Sequence, residues 1–205
     1  MSNALEDHRR QGITDDLTGQ LMTTEVNGHT WTDEDIIDTL RNWIAGHGTV
    51  TATIGIVIAH LADDQDLQRH LRSHPAAIAT AIDEIPRTDG PLVANSRTTA
   101  KDVTIGGRAI SEGERISLMW IAANRDPQAF RAPDEIQLER DQQKNLLYGA
   151  GIHYCLGAPL ARLEIRVAFE TLLANTTGFM LGSDEPLARE TYPGNGFLAL
   201  PIHLN

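Results

Sequence analysis

The chain has 205 residues, 41% hydrophobic and 22% charged, the composition of a globular protein with enough sequence for one good core. Its 28 acidic residues against 17 basic ones give a formal net charge of -11 and exclude the basic face a nucleic-acid binder needs. A single cysteine excludes an intrachain disulfide and fits a reducing compartment, and the polar opening MSNALEDHRRQGITDD has no apolar signal core, so a cytoplasmic protein is expected.

Residues 1–30 read as a polar arm with one short helical piece near Thr14–Thr23. Thr32 is a natural N-cap, followed by Asp33, Glu34 and Asp35 at the favourable end of a helix dipole, and a long helix is expected from there to about Leu61. Its stretch WIAGHGTVTATIGIVIAHLA, residues 43–62, is long enough to span a membrane. Internal histidines, threonines and glycines and the absence of flanking basic or aromatic belts favour a helix buried on most of its circumference instead. Further helices are expected over about Asp64–Arg72 and Ala76–Arg87, the latter bending or stopping at Pro86, whose ring meets the carbonyl four residues back.

The pattern then changes. LVANSRTT, DVTIGGRAI and ERISLMW place β-branched residues around Gly-Gly and Glu-Gly turns, so short strands and a hairpin are expected. ANRDPQAFRAPDEIQLERDQQKN has little periodicity and reads as an irregular meander. A helix is expected over Leu156–Ala174, with Leu156, Leu160, Leu163 and Val167 as its apolar stripe and Pro159 tolerated in its first turn. GFLALPIHL closes the chain as a strand or pair, and the fold class is mainly α with minor antiparallel β.

The one cysteine, Cys155, opens that last helix behind a glycine-rich turn, in YGAGIHYCLGAPLARLE. Unpaired amides and the positive end of the dipole favour a thiolate there. Gly149 and Gly151 let the backbone approach a flat or bulky ligand. Three readings follow from the residues: an inert buried cysteine, a metal ligand, or a nucleophile paired with His153. A zinc site lacks further cysteines or a spaced histidine pair.

This segment resembles the heme-binding signature of the cytochrome P450 family, Phe-x-x-Gly-x-(Arg/His)-x-Cys-x-Gly with a Leu-Ala-Arg run after it. Gly151, His153, Cys155, Gly157, Leu160, Ala161 and Arg162 match, and Tyr148 stands where the family has Phe. The resemblance implies heme b with Cys155 as thiolate ligand to the iron, and it implies propionate contacts from Arg97 and His153. Glu84 and Arg87 in DEIPR match the family's Glu-x-x-Arg pair, with Arg140 as the third member of a buried network that holds the meander. AANRDP, residues 122–127, is also a family-like run.

Two departures matter. In AGHGTV, residues 45–50, Ala45, Gly46 and Thr49 match the family's oxygen-activation motif, but Gly48 stands at the acid position and Val50 follows Thr49. His47 points about 100° away around the helix and is a poor substitute. The chain also matches only the family's C-terminal half, so the expected fold is a truncated P450-like one over residues 31–205.

The resemblance therefore implies a heme-thiolate oxidoreductase, a monooxygenase or peroxide-driven oxidase of a small organic substrate, with Thr49 catalytic and a ferredoxin-type redox partner. The alternative is a non-catalytic heme-binding or assembly subunit. The apolar long helix predicts a homodimer or a complex with a complementary half, burying its Ile54 and Ile58 side.

Overall fold

The computed structural model describes residues 2–182 and 186–205. The chain divides into two compact units, Met1–Gly48 and Thr49–Asn205.

In the first unit, α1 (Ser2–Gln11) and α2 (Leu17–Thr23) precede a two-stranded antiparallel ribbon, β1 (Glu25–Val26) and β2 (His29–Thr30). The Asp16 carboxylate caps α2 by accepting from the Gly19 amide at 2.9 Å. α1 is absent from the sequence reading, which has a polar arm here; its only fully buried side chain among those described is Leu5.

α3 (Asp33–Asp63) starts in this unit and continues into the second. Thr32 caps it: its hydroxyl accepts from the Asp35 amide at 3.2 Å, while the Asp35 carboxylate accepts from the Thr32 amide at 3.0 Å and from its hydroxyl. Burial along α3 is less than expected. Only 28% of its most apolar window is buried, and Trp43 and Ile44 are more than half exposed. By length and composition α3 could cross a membrane.

In the second unit the core joins Val57, Leu61 and Ala62 of α3 to Leu71 of α4 (Gln65–Ser73) and to Ile78, Ala81, Ile82 and Ile85 of α5 (Ile78–Thr88). Ile165, Phe169 and Leu173 of α7 (Ala158–Asn175) complete it with Phe179 of β7 (Phe179–Leu181). Ile54 and Ile58, expected to face a partner, pack against this core. Gln68 fastens β7 to it, donating to the Leu61 and Phe179 carbonyls and accepting from the Phe179 amide, so a buried amide side chain has no unmet polar group.

α5 does not stop at Pro86. It runs on to Thr88, because the proline falls in the last turn, where only one helical bond is lost. Beyond it, β3 (Ala94–Thr98) pairs antiparallel with β6 (Arg115–Met119), and β4 (Val103–Ile105) with β5 (Arg108–Ile110). Gly106 and Gly107 both have positive φ, 57° and 79°, the backbone a two-residue hairpin turn needs. A short α6 (Trp120–Asn124) leads into the irregular meander, and β8 (Ile202–Leu204) pairs with β7.

α7 presents the opposite face from the expected one. Ala158, Ile165, Phe169 and Leu173 are buried, whereas Leu160, Leu163 and Val167 are 46–48% exposed. At 100° per residue the two sets lie about half a turn apart, so the helix is apolar on both sides and its core uses the face the sequence reading passed over.

Candidate functional site

The supporting network is built first by sequence spacing. Glu84 and Arg87, three apart on α5, meet on one helix face, and both side chains are wholly buried. Arg87 donates from Nε to Glu84 Oε2 at 3.0 Å and from Nη2 to Oε1 at 3.1 Å. Its remaining donors reach the carbonyls of Asn124 and Pro133 at 2.7 Å and Glu135 at 3.0 Å. Arg140 arrives from the meander, with Nε 2.8 Å from Glu84 Oε1 and its other nitrogens on the carbonyls of Arg131, Ala132 and Glu135. Both guanidinium groups lie over the Phe130 ring, at 5.1 and 5.9 Å from its centroid.

Two further donors reach Glu84, the Gln137 amide at 3.1 Å from Oε1 and Gln142 Nε2 at 2.9 Å from Oε2. Burial works against its charge, but the donors from Arg87, Gln142 and Arg140 outweigh it and hold the carboxyl below the usual range. The sequence reading named Glu84, Arg87 and Arg140 but not Gln142, Phe130 or Asn124. Asn124 is 2% exposed and its side chain accepts from the Leu146 amide at 2.7 Å, so it carries the network toward the cysteine loop.

In that loop, Gly149 and Gly151 have φ of 73° and 63°, and a Cβ at Gly149 would come within 3.2 Å of the His153 carbonyl oxygen. These left-handed positions double the chain back so that the Cys155 amide donates to the Tyr148 carbonyl at 2.9 Å. Gly151–His153 form one 3-10 turn, and the Cys155 carbonyl accepts from the Ala158 amide at 3.3 Å at the start of α7. Cys155 is exposed, which removes the inert buried reading. A Cβ on Gly157 would sit 3.8 Å from Cys155 Sγ, so glycine there keeps a side chain off the sulfur. Ile152 and Leu156, on either side, are 97% and 99% exposed.

His153 lies exposed in the same loop. Arg97 is half-buried on β3 opposite Ile116; Nη1 donates to the Ser96 carbonyl at 2.9 Å, and its other nitrogens have no partner among the described residues. Thr49 is on α3, where its carbonyl accepts from the Thr53 hydroxyl at 2.7 Å. A Cβ on Gly48 would meet nothing within 4 Å.

These residues fit an iron porphyrin. Cys155 is a free, exposed thiol, the kind of soft donor that heme iron accepts. A flat apolar macrocycle suits the exposed Ile152 and Leu156, and the unused Arg97 donors suit its carboxylates.

The family model for cytochrome P450 matches residues 78–202, and the chain belongs to that family, whose cofactor is heme b. It is 36% identical over 165 residues to the cyclomarin C epoxidase CymV of Salinispora arenicola, covering 80% of this chain and 42% of that one. It is 35% identical to the vitamin D(3) 25-hydroxylase of Pseudonocardia autotrophica, over 98% of this chain and 51% of the relative. The P450 monooxygenase TamI with tirandamycin C bound superposes with a TM-score of 0.91 at 32% identity, covering 100% of this chain and 52% of TamI. The chain thus spans about half the length of the relatives it matches, and α3 falls within a segment that superposes on a P450 fold.

Proposed function

We propose that this chain carries the heme-thiolate half of a cytochrome P450-type monooxygenase, with Cys155 as the protein ligand to the iron of heme b. The observation that carries the reading is the exposed thiol on a loop folded back by two left-handed glycines, with its amide on the Tyr148 carbonyl. When bound, the heme supplies a redox-active iron whose thiolate ligand favours O–O cleavage.

The chain's own residues do the rest. With heme bound, Gly149, Gly151 and Gly157 would keep side chains clear of it, Arg97 and His153 would hold its propionates, and the Thr49 hydroxyl would hold a proton for the reaction. Glu84, Arg87 and Arg140 keep the meander in place beneath the loop. A ferredoxin-type protein supplies electrons in the cytoplasm, and a small organic molecule is the substrate. Relatives named as an epoxidase and a hydroxylase support oxygen insertion as the reaction class.

Assembly belongs to the same proposal. The outer face of α7, continuous in sequence with the exposed Leu156 and Ile152, carries the exposed Leu160, Leu163 and Val167. A partner surface, either a complementary half or a second copy of this chain, covers it.

One observation favours a second reading, a heme-binding subunit without monooxygenase activity: Gly48 removes the acid beside Thr49. Oxygen consumption by the heme-loaded chain with a ferredoxin, its reductase and a panel of small substrates separates the two. Substrate-dependent uptake supports the monooxygenase, and heme binding with no uptake supports the subunit.

A further inference from the structure

A second cluster adjoins the cysteine loop, and the Glu84 network does not absorb it. Asp83, beside Glu84 on α5, has a side chain only 13% exposed. Arg162, on the second turn of α7, donates from Nε to both Asp83 oxygens at 2.8 and 3.1 Å. Its Nη1 donates to the Tyr154 hydroxyl at 3.2 Å, and its guanidinium lies 4.3 Å over the centre of the Tyr148 ring. One planar cation therefore holds both tyrosines that bracket the loop. Tyr148 supplies the carbonyl that receives the Cys155 amide, and Tyr154 immediately precedes Cys155.

We propose that Asp83 and Arg162 are positioning residues for the Cys155 thiolate, acting through Tyr148 and Tyr154 to fix the direction in which the sulfur points. This rests on the heme-thiolate reading above. Groups outside the ligand set that orient a metal ligand are as much part of a metal site as the ligand. The chemistry here requires arginine. A guanidinium forks between carboxylate and phenol while its face covers a ring, whereas an ammonium is a point charge that can make only part of that set. Burial pushes the Asp83 carboxyl up, and the Arg162 charge and hydrogen bonds pull against it, so the carboxylate depends on the same arginine.

The test uses the full chain with Asp83→Asn, Arg162→Met and Arg162→Lys, and with Asp89→Asn as a control that removes another carboxylate–arginine pair, whose partners Arg189 and Asn195 lie outside residues 148–157. Amide hydrogen exchange across residues 148–157 is read without added heme; heme affinity and the spectrum of the reduced carbon monoxide complex are read with it. The clamp predicts faster exchange in the loop for all three Asp83 and Arg162 variants, no rescue by lysine, and no change in the control. Heme affinity should fall about 10-fold to 100-fold, with part of the thiolate-type absorption lost. Unchanged loop exchange and an unchanged spectrum in folded Asp83→Asn and Arg162→Met, or full rescue by Arg162→Lys, overturns it. Should those variants fail to fold, Tyr154→Phe removes one hydroxyl alone: faster exchange at Cys155 upholds the clamp and unchanged exchange overturns it. If the wild-type chain binds no heme through sulfur, the functional reading fails while loop exchange still decides the clamp.

Discussion

Arg87 and Glu84 face each other three residues apart on α5, joined by two hydrogen bonds of 3.0 and 3.1 Å, with neither side chain reaching solvent. A buried pair of this kind is weak evidence of net stabilisation, but it is costly to break on one side only. Here three carbonyls also depend on Arg87, one at the end of α6 and two in the meander. Arg87→Ala is therefore expected to destabilise the chain by about 3–5 kcal/mol. Arg69→Ala, which removes an exposed pair with Asp66, is expected to cost about 0–1 kcal/mol. Chemical denaturation of both variants checks the contrast.

Acid should destabilise the chain in two steps. Burial, only partly opposed by Asp64, Asp63 and Asp89, holds His60 below its ordinary value, and its Nε2 has no hydrogen-bond partner among the described residues. Its contribution is full above the unfolded value of about 6.5 and is lost as pH falls below it. Glu84, held low in the fold, contributes stability above the ordinary carboxylate range that is lost as pH falls through its folded value. Asp83, pushed up by burial, works in the opposite sense and offsets part of the second step. Melting temperature against pH should show both steps, and His60→Gln should flatten the first alone.

α7 supplies a third test. Phe169→Ala opens a cavity in the core and should cost about 3–5 kcal/mol. Leu163→Gln, on the exposed face, should change stability by no more than about 0.5 kcal/mol while weakening self-association or capture of a partner. Denaturation and sedimentation read the two effects separately; equal destabilisation by both would mean that this chain buries both faces.

That helix also shows where sequence reading works and where it stops. The Thr32 cap and the Gly106-Gly107 hairpin are legible because their causes are local: a hydroxyl three residues from an amide, and two adjacent left-handed backbones. Glu84 and Arg87 are legible as neighbours for the same reason, whereas Arg140, fifty-six residues from Glu84, entered only through resemblance. The buried face of α7 was not legible. Periodicity finds apolar stripes, and this helix has two; which one enters the core depends on α5 and β7, whose placement is tertiary. Asp83 and Tyr154 carried no motif of their own, and only the fold shows that Arg162 touches both.

Gly48 has open space around it, so Gly48→Asp can be made without a clash. If the missing acid beside Thr49 limits oxygen use, this variant should raise the share of consumed electrons that reaches product. Unchanged oxygen uptake and coupling would show that the limit lies elsewhere.

The most direct test of the central claim is the absorption spectrum of the heme-loaded chain, reduced under carbon monoxide, beside that of Cys155→Ala. Cys155 is the only thiol, so no other residue can replace it as a sulfur donor. The account predicts a strongly red-shifted Soret band for the wild-type chain and its loss in Cys155→Ala, with the helical content of the variant unchanged. A wild-type spectrum without that shift, or one identical in the two proteins, would contradict it.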